Sequence, residues 1–218
     1  MSDKLHAFRT GAITVTWSSR RCIHAAACVA GLPHVFAPGE KPWIRLEGAD
    51  AGAVDATVRR CPTGALHAER HDGGAPEAPE ANNVVLVTAG GPLHVRGDVV
   101  LRGADGAALL ADTRVALCRC GASANKPLCD GAHRESGFAD AGAIRDLDAV
   151  QDAGAAPEGA RLVVHVEPNG PLHLEGPFVL ASADGTVLLE GTSAWLCRCG
   201  RSKDRPFCDG SHESAPFE

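Results

Sequence analysis

The chain has 218 residues, a formal net charge of −6 and an aromatic content of only 4%, with no Tyr. It has no long apolar run and no Lys/Arg block, so composition argues against a membrane span and against a nucleic-acid surface. Nine Cys is an odd number, and no apolar signal stretch follows Met1, so disulfide pairing after secretion is disfavoured. We therefore expect reduced thiols and a cytoplasmic protein.

The N-terminal part of the chain predicts a small domain at 8–68. Short β-branched or aromatic runs predict strands at 13–17, 43–46 and 65–68. A helix is predicted at 50–60, since Val54 and Val58 lie one turn apart, two Arg occupy the last turn and Pro62 follows. Residues 69–83 carry no apolar periodicity and predict a linker.

An internal duplication follows this linker. Residues 84–138 align without a gap on 163–217, and about half of the aligned positions are identical. Leu- and Val-rich runs between Gly-Pro and Asp-Gly pairs predict a small β-meander in each copy, with hairpin turns at Asp105-Gly106 and Asp184-Gly185. The predicted domains are 84–138 and 162–218, joined by an Ala-, Gly- and Asp-rich linker at 139–161. Together with the N-terminal domain they predict an α+β fold class.

Each copy ends in a cysteine–histidine signature. The first comprises Cys118, Cys120, Cys129 and His133, and the second comprises Cys197, Cys199, Cys208 and His212. Three thiolates and one imidazole form a complete four-ligand set for a metal centre. Because the same set also suits structural zinc, spacing alone leaves both an iron–sulfur cluster and a zinc ion open.

The signature reads Cys-x-Cys-x2-Ser-x3-Pro-x-Cys-Asp-Gly-Ser-His, and the first copy departs from it only at Ala132. This pattern resembles the CDGSH iron–sulfur family, the mitoNEET-like proteins. The resemblance implies one [2Fe–2S] cluster per copy, with the first two Cys on one iron and the third Cys and the His on the other. It also implies a two-fold arrangement with swapped strands, so two copies in one chain would form an intramolecular pseudo-dimer and the protein a monomer. Four further residues are expected to support the ligand loops: Asp130, Asp209, Ser123 and Ser202.

Three Cys outside the repeats, Cys22, Cys28 and Cys61, resemble the ligands of a divergent mono-cluster 4Fe–4S domain of ferredoxin-like type. Ferredoxins place a ligand three residues after the first Cys, where this chain has Ala25. The resemblance therefore implies a [3Fe–4S] cluster, or a [4Fe–4S] cluster with another fourth ligand. His24 is the candidate for that ligand, the alternative being a loop His. For the three Cys, the alternative is that they are buried free thiols.

These centres favour an electron carrier that works with a reductase and an acceptor protein. The sequence contains no glycine-rich nucleotide motif after a strand and no nucleophile–base arrangement, so an enzyme is not expected. Two alternatives use the same ligands. One is a protein that transfers clusters or senses redox state or pH, and the other uses its metals only as structural staples.

Overall fold

A computed structural model describes residues 5–152 and 159–217. Contacts divide the chain into two compact units, the first ending at Ala78 and the second beginning at Pro79. The described residues are mostly β. None of their helices is long and apolar enough to cross a membrane.

The first unit is a three-stranded antiparallel sheet with two short helices. The strands, in sheet order, are β1 (Leu5–Arg9), β2 (Ile13–Ser18) and β3 (Leu66–Arg70). The helices are α1 (Ala27–Gly31) and α2 (Ala51–Val58). Asp50 caps the start of α2, because its side chain accepts a hydrogen bond from the backbone N–H of Ala53 at 2.9 Å, and the helix ends at Val58, two residues before the predicted end. Val54 and Val58 of α2 are fully buried in the hydrophobic cluster of this unit.

Two elements of this unit differ from the sequence prediction. The strand predicted at 43–46 is wrong, since Ile44 forms only an isolated bridge with Phe36 and a 3-10 helix follows at Leu46–Gly48. The alternation of buried and exposed side chains there resembles a strand, but no neighbouring segment extends the ladder. Strand β1 was missed because its residues alternate only between exposed and half-buried positions, which leaves a weak apolar signal.

The second unit contains the two copies, each as a three-stranded antiparallel meander. The first copy forms β4 (Val84–Val87), β5 (Leu93–Arg102) and β6 (Ala108–Leu117). The second forms β7 (Leu162–Val166), β8 (Leu172–Ala181) and β9 (Leu188–Leu196). The predicted turns join β5 to β6 and β8 to β9, where Gly106 and Gly185 have φ angles of 78° and 70°.

The copies also pair with each other. Strand β4 runs parallel to β8, with Val84 opposite Val179, and β7 runs parallel to β5, with Val163 opposite Val100. These two pairings join equivalent positions of the repeats, so the first strand of each copy lies on the second strand of the other. The buried side chains of both copies form one hydrophobic cluster. Each copy therefore completes the core of the other.

Part of the predicted linker at 139–161 crosses this unit, while residues 153–158 lie outside the described residues. The carbonyl of Asp140 accepts a hydrogen bond from the first copy at Gly90 (2.7 Å), and that of Gly142 accepts one from the second copy at Ala183 (2.9 Å). Ile144 is buried in the shared core. The segment is thus bonded to both copies.

Candidate metal centres

The ligand loops begin where β6 and β9 end. In the first copy Leu117 bridges Leu128, which places Cys129 opposite Ala116 and Cys118 opposite Pro127. Leu196 and Phe207 form the equivalent bridge in the second copy. A short strand-like contact therefore brings the third cysteine of each signature back to the end of the strand that leads into the first two.

The donor atoms of each signature stand in two pairs. In the first copy the Sγ atoms of Cys118 and Cys120 are 3.8 Å apart, and the Cys129 Sγ lies 3.4 Å from Nδ1 of His133. In the second copy the matching distances are 3.7 Å, between Cys197 and Cys199, and 3.3 Å, between Cys208 and His212. Two thiolates bound tetrahedrally at about 2.3 Å lie about 3.8 Å apart. Each pair thus has the spacing of two ligands on one metal ion.

The pairs do not merge into a single four-ligand site. Among residues 5–152 and 159–217, no three His, Cys, Asp or Glu side chains converge as ligands of one metal ion. The pairs are nevertheless neighbours, since the charge of Cys120 contributes to raising the pKa of Cys129.

The protonation of these thiols fits a site that receives a cation. Burial raises the pKa of Cys129 to about 11 and that of Cys197 to about 11. The hydrogen bond from the Cys118 thiol lowers the pKa of Cys120 to about 6. Buried thiolates need a compensating positive charge, which a bound metal supplies. The donor set therefore suits metal binding, since Cys120 is ionised at neutral pH and a bound metal would supply the charge that Cys129 and Cys197 need to ionise.

The predicted support residues bond to the ligand loops in the same way in both copies. The Ser123 hydroxyl, 1% exposed, donates to the carbonyl of Leu128 at 2.7 Å, and the Asp130 carboxylate accepts from the backbone N–H groups of Ala124 and Ala132. In the second copy Ser202 donates to Phe207, and Asp209 accepts from Lys203 and Ser211. These bonds hold each loop in shape. In the first copy a 3-10 helix, Ala132–Arg134, carries the predicted ligand His133.

Sequence reasoning missed the arginine inside each Cys-Arg-Cys. Arg119 and Arg198 are each 1% exposed. Their Nε atoms donate to the carbonyls of Gly91 (3.1 Å) and Gly170 (3.0 Å), and their guanidinium groups lie over aromatic rings, those of Phe138 and Phe217. The recurrence of Arg at this position in both copies was the available signal.

The two ligand loops touch each other. A Cβ added at Gly121 would lie 2.5 Å from the carbonyl oxygen of Cys199, and one at Gly200 would lie 2.7 Å from that of Cys120. Both glycines have left-handed φ angles, 76° and 77°. Two predicted ligands, Cys120 of the first copy and Cys199 of the second, therefore lie at this contact. Both line a common depression of about 560 Å³.

In the first unit, the structure brings Cys22, Cys28, Cys61 and His24 around one cavity of about 970 Å³. Burial, together with the charges of Cys61 and Cys22, raises the pKa of Cys28. His24 is exposed and has a left-handed φ of 54°, and Ala26 has 60°. Ala25, at the position of the usual fourth ligand, presents only a methyl group. The segment from Cys22 to Cys28 and the residue Cys61 after α2 thus place three thiols and one imidazole at the cavity wall.

Two family models match this chain. A model described as "Divergent 4Fe-4S mono-cluster" matches residues 8–71, and one described as "Iron-binding zinc finger CDGSH type" matches 90–134 and 169–213. The chain is an iron–sulfur protein with two tandem CDGSH domains. Its N-terminal domain is of the divergent 4Fe-4S mono-cluster type. Comparison with curated proteins and with solved structures found no match.

Proposed function

We propose that this iron–sulfur protein is an electron carrier with three clusters. Each CDGSH domain would hold a [2Fe–2S] cluster, and the N-terminal domain a [3Fe–4S] or [4Fe–4S] cluster. When bound, such clusters accept and release single electrons. The partners would be a reductase and an acceptor protein in the cytoplasm, and the carrier itself would not be an enzyme.

The observation that carries this proposal is the paired geometry of the donors in both CDGSH domains. A zinc ion requires four donors at one point. Here two donors lie 3.8 Å apart and two lie 3.4 Å apart, and no third donor from the part of the chain that the structure describes joins either pair. Two pairs favour two metal ions, as in a [2Fe–2S] cluster held by Cys118 and Cys120 on one side and by Cys129 and His133 on the other. The second domain repeats this arrangement with Cys197, Cys199, Cys208 and His212.

The exchanged strands support an intramolecular pseudo-dimer. The β4–β8 and β7–β5 pairings join equivalent residues, which is the pattern of a two-fold arrangement. A monomeric carrier follows, because the pairing needs no second chain.

The protein groups around each centre suit a carrier. Burial lowers the pKa of His133, which keeps its imidazole neutral and able to bind a metal. Backbone N–H groups donate to the ligand sulfurs, from Ala122 to Cys120 (3.5 Å) and from Gly131 to Cys129 (3.4 Å). A neutral imidazole in place of a thiolate, together with these hydrogen bonds, raises a reduction potential.

Analysis of the anaerobically purified full chain tests the proposal. We expect about seven or eight irons per chain with matching sulfide, and paramagnetic resonance signals after reduction. Cys118→Ser should remove about two irons and Cys61→Ser about three or four, each leaving the other signals in place. Folded protein that contains zinc and undergoes no reversible reduction would contradict the proposal.

Cluster transfer is the second candidate, favoured by one difference between the domains. Cys208 and His212 are partly exposed, whereas Cys129 and His133 are buried. Mixing the loaded protein with an apo-ferredoxin separates the two functions. A carrier retains its clusters through repeated reduction and oxidation, whereas a transfer protein hands over the cluster of the second CDGSH domain.

A further inference from the structure

One carboxylate, that of Asp140, bonds to residues of both ligand loops. It lies just after the first CDGSH domain and its side chain is 9% exposed. Its Oδ1 accepts from Nη1 of Arg119 at 2.6 Å, and its Oδ2 accepts from Nε of Arg205 at 2.6 Å. Burial would raise the pKa of Asp140, but the hydrogen bonds from both arginines outweigh it and lower the pKa, so the group is ionised.

On the first side, Arg119 is rigidly held. It lies between two predicted ligands, Cys118 and Cys120, and its side chain is fully buried. Besides Asp140, it donates to the carbonyls of Gly91 (3.1 Å) and Thr88 (2.5 Å). Any movement of this Cys-Arg-Cys segment therefore displaces a buried guanidinium bound to Asp140.

On the second side, Arg205 belongs to the ligand loop of the other domain. It lies three residues before Cys208, and its Nη1 donates to the carbonyls of Gly200 (3.3 Å) and Ser202 (2.5 Å). Gly200 directly follows the ligand Cys199. Arg205 is thus bonded to the loop segment that joins two predicted donors of the second centre, Cys199 and Cys208.

The bridge is asymmetric, because Arg119 and Arg205 do not occupy equivalent positions in the two domains. The residue equivalent to Arg205 in the first domain is Lys126, whose Nζ donates to the carbonyl of Ser123 within its own loop at 2.8 Å. A buried ion pair responds to changes at either end, because charge is weakly screened where solvent is excluded.

We infer that Asp140 is a positioning residue that couples the two CDGSH centres, so that filling one centre changes the retention and potential of the other. The inference rests on the proposed function, since it requires a cluster in each CDGSH domain. The chemical basis is the continuous path from Cys118-Arg119-Cys120 through the carboxylate to Arg205 and the loop of Cys199 and Cys208.

A double-mutant cycle on the full-length, cluster-loaded protein tests the coupling. Cys208→Ser empties the second centre, and Asp140→Asn keeps the size of the side chain while removing its charge and one of its two acceptor oxygens. The readouts are the acid-release half-time and the midpoint potential of the cluster in the first domain. With Asp140 present, emptying the second centre should change the half-time at least about threefold. In Asp140→Asn, the same change should have almost no effect.

Asp148→Asn is the matched control, since Asp148 is exposed on the same segment, and it should preserve the full coupling. If Asp140→Asn does not fold, Arg205→Lys replaces it. Lys keeps the positive charge of the loop, and Lys126 at the equivalent position bonds to Ser123 of its own loop, so we expect Arg205→Lys to break the bridge. Equal effects of Cys208→Ser with and without the bridge would overturn the inference and assign any coupling to the Gly121–Gly200 contact. Iron and sulfide counts on the same samples distinguish an absent coupling from failure of the proposed function, because the latter would show as missing clusters.

Discussion

Replacing Gly121 by Ala tests whether the contact between the two ligand loops stabilises the CDGSH unit. The new Cβ would lie 2.5 Å from the Cys199 carbonyl oxygen, and ordinary contact begins at 3.4 Å. The loops would have to separate by about 0.9 Å, and overpacking of this kind costs about 1–3 kcal/mol. The left-handed backbone of Gly121 adds about 1–2 kcal/mol for a residue with a Cβ.

Gly106→Ala separates these two effects. Gly106 has nearly the same φ, 78° against 76°, but nothing lies within 4 Å of its added Cβ. We therefore expect Gly106→Ala to lower the free energy of unfolding by about 1–2 kcal/mol and Gly121→Ala by about 2–5 kcal/mol. Gly200→Ala, with its Cβ 2.7 Å from the Cys120 carbonyl oxygen, should resemble Gly121→Ala.

Urea unfolding followed by circular dichroism measures these free energies, and visible absorbance during the same titration reports cluster retention. Gly121→Ala should lose its visible absorbance at a lower urea concentration than Gly106→Ala. If the two variants unfold at the same midpoint, the reasoning is refuted, since the loop contact would then contribute nothing beyond backbone strain.

Three further predictions concern the predicted ligands and the residues beside them. His133→Cys or His212→Cys should lower the midpoint potential of that cluster, because a thiolate adds negative charge. It should also slow release of the cluster by acid, because the imidazole nitrogen, for which protons compete with iron, is removed. Unchanged potentials in both variants would disprove histidine ligation. The hydrogen bonds from Ser211 and Lys203 lower the pKa of Asp209 to about 2, so the stability they provide is present above pH about 4 and is lost as pH falls towards 2. Asp209→Asn should remove this dependence, as measured by unfolding at pH 2–5. His24→Ala should shift the paramagnetic resonance spectrum of the N-terminal cluster if the imidazole is its fourth ligand, with Cys61→Ser, which should abolish that spectrum, as the reference.

The sequence by itself indicated the type of the CDGSH domains and a candidate ligand set for each, because the candidate donors are close together along the chain. Cys118, Cys120, Cys129 and His133 lie within one loop, so their spacing and the flanking Asp and Ser indicated the centre without knowledge of the fold. The duplication doubled that signal. The N-terminal cysteines were recognised through the resemblance to the mono-cluster domain, from the spacing of Cys22 and Cys28 and the distant Cys-Pro at Cys61.

The order in which the strands pair was not determined by the sequence alone. The alternation of residues in β4 suits pairing with β5 of its own copy and with β8 of the other, and the apolar pattern is the same in both cases. The resemblance to a known family suggested the exchange of strands. Only the tertiary structure gave the register that joins Val84 to Val179.

Only the tertiary structure brought the two ligand loops into contact and joined them through Asp140. Asp140 is 21 residues from Arg119 and 65 from Arg205 in sequence, and it lies in a segment whose composition indicated a linker. Such bonds form because the shared core fixes both loops on one unit, where a single buried carboxylate can satisfy two arginines. The candidate ligands of each CDGSH domain lie close together in sequence, whereas the relation between the two ligand loops depends on contacts between distant residues.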